Sequence, residues 1–256
     1  MSDIRTRRQP PHFRRVSVAR VAERTPHLVR VTLAGDELAG LDPGLPAASV
    51  RLLLPTAGHD LVVPTWNGNE FLFDDGSRPV IRTLTPLRVD DATRELDVEI
   101  VRHGEAPLSS WVDAAAPGDE VAVAGTGRGY EIDPAARSYL LAGDESAIPA
   151  IGVLLTALPD NATLRVLVEA RDADRLDLPV HPGATLTAAE PVPGRPGAAL
   201  VDLVVQQPDL GTAVRVWAAG EAAAVQRIRR HLFEDRGLPR SQAVVRGYWK
   251  VGRGGE

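Results

Sequence analysis

A small antiparallel β-barrel or sandwich followed by an α/β unit with a mostly parallel sheet is the architecture that this sequence predicts. Two observations lead to it. The first half breaks into short strand-like runs separated by Gly, Pro and Asp, whereas beyond Tyr139 apolar strands alternate with helical stretches. The change of texture falls in a stretch rich in Gly, Pro and charge, dividing the chain into 1–125, a linker at 126–138, and 139–256. At 256 residues the chain is long enough to bury two modest cores.

Taken in order, the runs at 14–21, 28–33, 49–54, 80–85, 95–102 and 120–125 are the strand candidates of the first half. VRVTL alternates Val29, Val31 and Leu33 with polar neighbours, and LDVEIV alternates at its start, the period of a strand with one buried face. Residues 107–116 form a helix candidate, stopped by Pro117-Gly118. In the second half SYLLAGD reads as a buried strand and SAIPAIGVLLTAL as the helix after it. TLRVLVEA and VRVWAAGE are the next strands. From 222 to 236, Val225, Ile228, Leu232 and Phe233 share a helical face opposite arginines, and Gly237 stands at the expected C-cap. AVVRGYW reads as the final strand. No internal repeat or low-complexity tract interrupts this order.

With 44% apolar and 25% charged residues, the composition is that of a soluble globular protein. A net charge of -5 lacks the basic footprint of a nucleic-acid binder. The chain contains no cysteine, which excludes disulfides, iron–sulfur clusters, thiolate metal sites and cysteine nucleophiles. Redox chemistry would then require an organic cofactor or a metal carried by the substrate. The basic opening MSDIRTRRQPPHFRR has no apolar segment behind it and is expected to be a solvated tail rather than a signal. No run is long enough to cross a bilayer. These features predict a cytoplasmic monomer with no membrane insertion and no nucleic-acid partner.

Five short segments carry residues suited to cofactor chemistry. RTLTP contains Arg82, Thr83, Leu84 and Thr85; a guanidinium can hold a phosphate and hydroxyls can donate to a planar ring, although Arg-Thr pairs also decorate exposed sheet faces. VRHGEAPLSSW places His103 at a strand end and Ala106, Leu108, Ser109 and Ser110 around a helix start, where free amides and the dipole favour an anion. Serines there also serve as caps. LLAGDESAIPAI is a strand–turn–helix unit presenting Asp144, Glu145 and Ser146 at a sheet's C-terminal edge, as an acidic helix start or as part of a nucleotide site. WAAGE ends in Glu221, a helix N-terminal charge or a cleft residue. GYWKVG carries Lys250, the only lysine of the chain. GTGRGY lacks the GxGxxG spacing of a dinucleotide loop and reads as a linker. No Ser/His/Asp arrangement and no metal-ligand set is visible.

In order and spacing, these segments resemble the motifs of the siderophore-interacting protein family, within the ferredoxin-reductase-like superfamily. RTLTP is similar to the family's Arg-Thr-Tyr-Thr, VRHGEAPLSSW to its His-Gly-x-Gly-Pro-Ala-Ser-x-Trp, and LLAGDESAIPAI to its Leu-x-Ala-Gly-Asp-Glu-Thr-Ala-Leu-Pro-Ala-Ile. WAAGE and GYWKVG are like its last two motifs. The resemblance implies an FAD-binding β-barrel followed by an NAD(P)H-binding α/β domain. It implies that Arg82 and the helix start at Ala106, Leu108, Ser109 and Ser110 meet the FAD pyrophosphate. Thr83, Leu84, Thr85 and His103 would then line the isoalloxazine, and Asp144, Glu145, Ser146 and Glu221 the nicotinamide side. Lys250 becomes a substrate-binding cation for an anionic ferric siderophore.

The activity so implied is reduction of ferric siderophores by electrons passed from NADH or NADPH through FAD, with iron released as Fe(II) and no side chain acting as catalyst. Arg171, after the second α/β strand, suits a 2′-phosphate. Two departures from the family pattern stand out. Leu84 occupies the Tyr position, removing a stacking ring and its hydroxyl, and Ala106 and Leu108 replace Gly and Ala at the phosphate turn. Two other expectations stay open: a reductase-like scaffold with weakened or lost flavin binding that serves a biosynthetic or other ligand-binding role, and a non-catalytic siderophore-binding protein.

Overall fold

The computed structural model describes residues 11–103, 106–172, 176–208, 210–211 and 213–252. The opening arm through residue 10, and residues 104 and 105 of the second motif, lie outside the described residues. The first unit contains β1 (Phe13–Thr25), β2 (Leu28–Ala34), β3 (Val50–Leu53), a small hairpin of β4 (Thr65–Trp66) and β5 (Phe71–Leu72), β6 (Ile81–Leu84), β7 (Pro86–Asp90), β8 (Glu95–Val101), α1 (Pro107–Ala114) and β9 (Glu120–Thr126). Seven of these strands form one sheet in the order β6-β3-β9-β1-β2-β8-β7, with every pairing antiparallel. Strands β6 and β7 are its two edges, yet only Thr85 separates them in the chain. A chain can step from one edge to the other in one residue only if the sheet has rolled until its edges meet. The first unit is therefore a barrel with its seam at Thr85.

Period-2 patterning builds this barrel. Val29, Val31, Leu33, Leu96 and Ile100 point inward and are fully buried, whereas Glu95, Asp97 and Glu99 of β8 point outward. The outward acids are paired with arginines of the adjacent strands β2 and β7 and of β1 beyond them: Arg30 with Glu99 at 2.7 Å, Arg88 with Asp97 at 2.9 Å and Arg20 with Glu95 at 2.9 Å.

The second unit contains β10 (Ser138–Asp144), a 3-10 turn (Glu145–Ala147), α2 (Ile148–Ala157), β11 (Thr163–Glu169), β12 (Ala184–Ala189), α3 (Ala198–Val205), β13 (Arg215–Glu221), α4 (Ala222–Arg230) running on through a π turn (His231–Asp235), and β14 (Ala243–Trp249). Its strands are all parallel, in the order β12-β11-β10-β13-β14. Helices on both faces make the central strands apolar throughout; Leu140, Leu141, Ala142, Val216, Trp217 and Ala218 are all inaccessible. The order reverses between β10 and β13, and the crevice at their C-terminal ends is where open α/β sheets bind ligands.

Between the units, the Gly-rich run packs tightly against the segment before β3. A Cβ on Gly127 would lie 2.4 Å from Ser49 Oγ, and one on Gly129 2.4 Å from Leu45 Cβ. These glycines permit close packing of chain against chain, and the Tyr130 amide anchors the run on the Pro46 carbonyl at 2.6 Å. No helix among the described residues is long and apolar enough to cross a membrane.

Candidate functional site

A cavity of about 790 Å³ lies between the barrel and the parallel sheet. The barrel wall is the β6 edge and its seam, with Arg82, Thr83, Leu84 and Thr85 all on the lining. Arg82 is partly drawn out of water; its Nη1 donates to the Ile81 carbonyl at 2.9 Å, and burial pushes its pKa down from the usual guanidinium value. Thr83 is exposed on the β6 edge, whereas Thr85, at the seam just beyond the strand, is buried.

The start of α1 forms the adjoining corner. Ala106 is its N-cap residue, makes no side-chain cap, and is followed by Pro107 at the first helical position. Proline lacks an amide that would need a partner there, while the next amides stay open to a ligand. Ala106, Leu108 and the exposed ring of His103 line the cavity. Ser109 lies elsewhere: its buried hydroxyl accepts from the His103 amide at 3.0 Å and donates to the His103 carbonyl at 3.3 Å, clamping the strand–helix turn. Ser110 is exposed, off the cavity wall.

At the switch point of the second unit, Ser146 reaches the cavity, whereas Asp144 is buried behind it. Asp144 Oδ1 accepts from the Ser146 amide at 3.0 Å and from its hydroxyl, and Oδ2 accepts from the Glu221 amide at 2.7 Å and Trp249 Nε1 at 2.8 Å. Burial raises the Asp144 pKa against those donors. Gly220 approaches so closely, at φ 151°, that a Cβ there would sit 2.5 Å from Asp144 Oδ2. Glu145 turns to Arg171 in a bidentate pair at 2.9 and 2.7 Å, so the arginine expected to suit a 2′-phosphate is engaged with a carboxylate. Glu221 is buried and caps α4 through the Ala224 amide at 2.8 Å. Asp144, Glu145 and Glu221 thus shape the crevice from behind. Their carboxylates satisfy backbone and side-chain donors that a folded turn cannot leave bare.

The last wall is the end of β14, which adds Arg246, Tyr248, Trp249 and Lys250. The Trp249 ring lies nearly parallel to that of His103, at 20° with centroids 6.2 Å apart, bringing the two units together across the cavity. Arg246 donates to the carbonyls of Arg128 and Gly129 at 2.9 and 3.0 Å and ties β14 to the linker. Nine of the fourteen residues expected at a site, Lys250 included, therefore meet around one cavity. Tyr248, Trp249 and Arg246 were missed, although two adjacent aromatics ahead of the sole lysine were a readable signal. Among the described residues no cluster of metal-binding side chains occurs.

A rolled antiparallel sheet joined to a parallel sheet of order β12-β11-β10-β13-β14, with a cavity between them, is a ferredoxin-reductase-like fold. A solved ferredoxin reductase of a carbazole 1,9a-dioxygenase shares this fold at a TM-score of 0.67 and 14% identity, over 94% of this chain and 70% of that one. The Siderophore-interacting FAD-binding domain family matches residues 17–129, and the Siderophore-interacting protein family matches residues 136–252. The chain belongs to the siderophore-interacting protein family. A crystal structure of a siderophore utilization protein from T. fusca is 33% identical, with a TM-score of 0.83 over 95% of both chains. An uncharacterized Mycobacterium tuberculosis protein is 35% identical over 89% of this chain and 87% of its own. The Vibrio cholerae ferric vibriobactin reductase ViuB is 28% identical over 90% and 86%.

Proposed function

We propose that this protein reduces ferric siderophores with electrons from NADH or NADPH passed through FAD. The observation that supports this most directly is the single cavity joining an Arg-bearing barrel edge, an uncapped helix start and the switch point of a parallel sheet. These residues suit a flavin dinucleotide. Arg82 and the amides at the start of α1 would hold the pyrophosphate, and Thr83, Leu84, Thr85 and His103 the ring system. Bound FAD would supply the chemistry that the side chains lack, accepting hydride and giving single electrons to Fe(III).

The chain's own residues bind and orient. A partly desolvated guanidinium at Arg82 attracts an anion more strongly than one in bulk water. Ser146 and the crevice between β10 and β13 receive the nicotinamide half of the donor. Asp144 holds the turn at Ser146 and the Trp249 indole in register along the α/β wall of the cavity. Lys250, exposed at the rim, draws in an anionic ferric chelate. No side chain is assigned a covalent step.

The test is reconstitution with FAD followed by visible spectroscopy. Flavin absorption bleached by NADH or NADPH, and restored by a ferric catecholate while a ferrous trap develops colour, is the expected result. A protein that takes up FAD yet is not bleached by either nucleotide contradicts the reading. A protein that binds ferric chelate but no FAD would instead support the non-catalytic binding role.

A further inference from the structure

In an open α/β sheet the phosphates of a dinucleotide lie at the helix start after the first strand, and its adenosine ribose reaches the end of the next strand. In this chain those places are the turn after β10 and the end of β11, its parallel neighbour. An acid at the second place accepts from the 2′-hydroxyl of NADH, and an arginine there accommodates the 2′-phosphate of NADPH. The sequence offers both kinds of residue, since Glu169, Arg171 and Asp172 stand close together.

Their surroundings decide between them. Glu169 faces inward, 3% exposed, and its two oxygens accept from the amides of Gly197 and Leu200 at 2.7 and 2.8 Å, holding the start of α3. Arg171 is gripped from the turn after β10. Glu145 Oε1 accepts from its amide at 2.8 Å and its Nε at 2.9 Å, and Oε2 accepts from Nη2 at 2.7 Å. Nη2 donates as well to the Arg102 carbonyl at 3.0 Å. Neither nitrogen can turn to a phosphate without leaving an anion or the barrel. The carboxylate that holds Arg171 belongs to the turn where the donor's own phosphates would approach.

We propose that the Glu145–Arg171 pair makes NADH, rather than NADPH, the electron donor of this protein. The inference rests on the reading of a nicotinamide donor above and names which of the two that site takes. Against the burial that raises it, the hydrogen bonds and charge of Arg171 hold the Glu145 pKa below its usual range, so the carboxylate is charged at neutral pH. Asp172 follows Arg171, its backbone in the left-handed region at φ 49°, and adds a second acid beside the one guanidinium. A 2′-hydroxyl can donate to a carboxylate, whereas a 2′-phosphate is repelled by it. Repulsion of that kind at a partly exposed surface selects by roughly tenfold or more.

The experiment titrates the FAD-loaded protein with adenosine 5′-monophosphate and adenosine 2′,5′-bisphosphate, which carry the adenosine end alone, and compares anaerobic bleaching by NADH and NADPH. The unaltered protein, Glu145→Gln and Glu145→Asp are used, with unfolding midpoints alongside. The unaltered protein is expected to favour NADH in kcat/KM by roughly tenfold or more. Glu145→Gln removes the charge and releases Arg171. It should tighten the bisphosphate roughly tenfold, leave the monophosphate within about twofold, and narrow the preference through the KM for NADPH. Glu145→Asp keeps the charge and should keep the preference. A general loss of folding would weaken both ligands and cannot produce a gain for one. If the unaltered protein prefers NADPH, or if Glu145→Gln changes both ligands alike, the inference is overturned while the reductase reading stands. If neither dinucleotide bleaches the flavin, both fall.

Discussion

The carboxylate of Asp144 sits among four donors and almost no water, 5% exposed at the point where β10 and β13 diverge. Each oxygen accepts two of those bonds, so the geometry asks for an acceptor on every side. Asparagine has nearly the same shape but turns an N–H₂ toward donors. Asp144→Asn is therefore expected to cost on the order of 2 kcal/mol, the penalty for a buried donor left facing a donor. The urea midpoint reports it, together with a shift in tryptophan emission as the Trp249 indole loses its acceptor. An unchanged midpoint would mean that the crevice is held by packing rather than by this carboxylate. Read in the sequence, Asp144 resembled a cofactor ligand. The signal was real, since the residue builds the crevice, but a one-dimensional motif does not show whether a carboxylate faces a cavity or the turn behind it.

Among the elements, β8 shows how outward charge can organise a sheet. Its three acids stand on one face with Arg20, Arg30 and Arg88 across from them, and the hydrogen bonds from Arg20 and Arg88 hold Glu95 down at about 2. A carboxylate with a depressed folded pKa adds stability above its unfolded value of 4.5 and loses it as pH falls toward 2. Glu95→Gln should thus lower thermal stability above pH 4.5 and flatten its further loss between pH 4.5 and 2, so that the two proteins converge toward pH 2. Parallel thermal melts of the two proteins across that window measure it; equal slopes would refute it. Such strands were legible because inward apolar residues alternate strictly with outward polar ones. β12, with four of its six residues exposed, carried no such pattern, and β7 opens on Pro86, tolerated there because the strand is an edge. α3 was hidden for another reason: its N-cap is Gly197, in a left-handed conformation, rather than a side-chain cap. The bulge at Tyr248, where the pairing of β14 with β13 steps from Gly247↔Gly220 to Trp249↔Glu221, left no trace either, because register belongs to a pair of strands rather than to one.

Across the whole molecule, the cavity is only as well defined as the contacts that hold its two walls in place. Arg171 is central to them. Its guanidinium grips Glu145 and donates through Nη2 to the Arg102 carbonyl at 3.0 Å, at the end of β8, so one side chain joins the parallel sheet to the barrel. Burial pushes the Glu145 pKa up, but the hydrogen bonds and charge of Arg171 outweigh it and hold the carboxyl below its usual range. That depressed pKa stabilises the fold above the ordinary glutamate value of 4.5 and ceases to do so as pH falls below it. Arg171→Ala should consequently lower stability at neutral pH by on the order of 1 kcal/mol, a figure discounted because the arginine is partly exposed. The difference from the unaltered protein should shrink as pH drops below 4.5, where Glu145 takes up a proton. Denaturant midpoints of both proteins, followed from pH 7 down to pH 4, decide the matter. A gap that stays constant would show that Arg171 joins the units through its contact with the Arg102 carbonyl alone and that its pairing with Glu145 adds nothing.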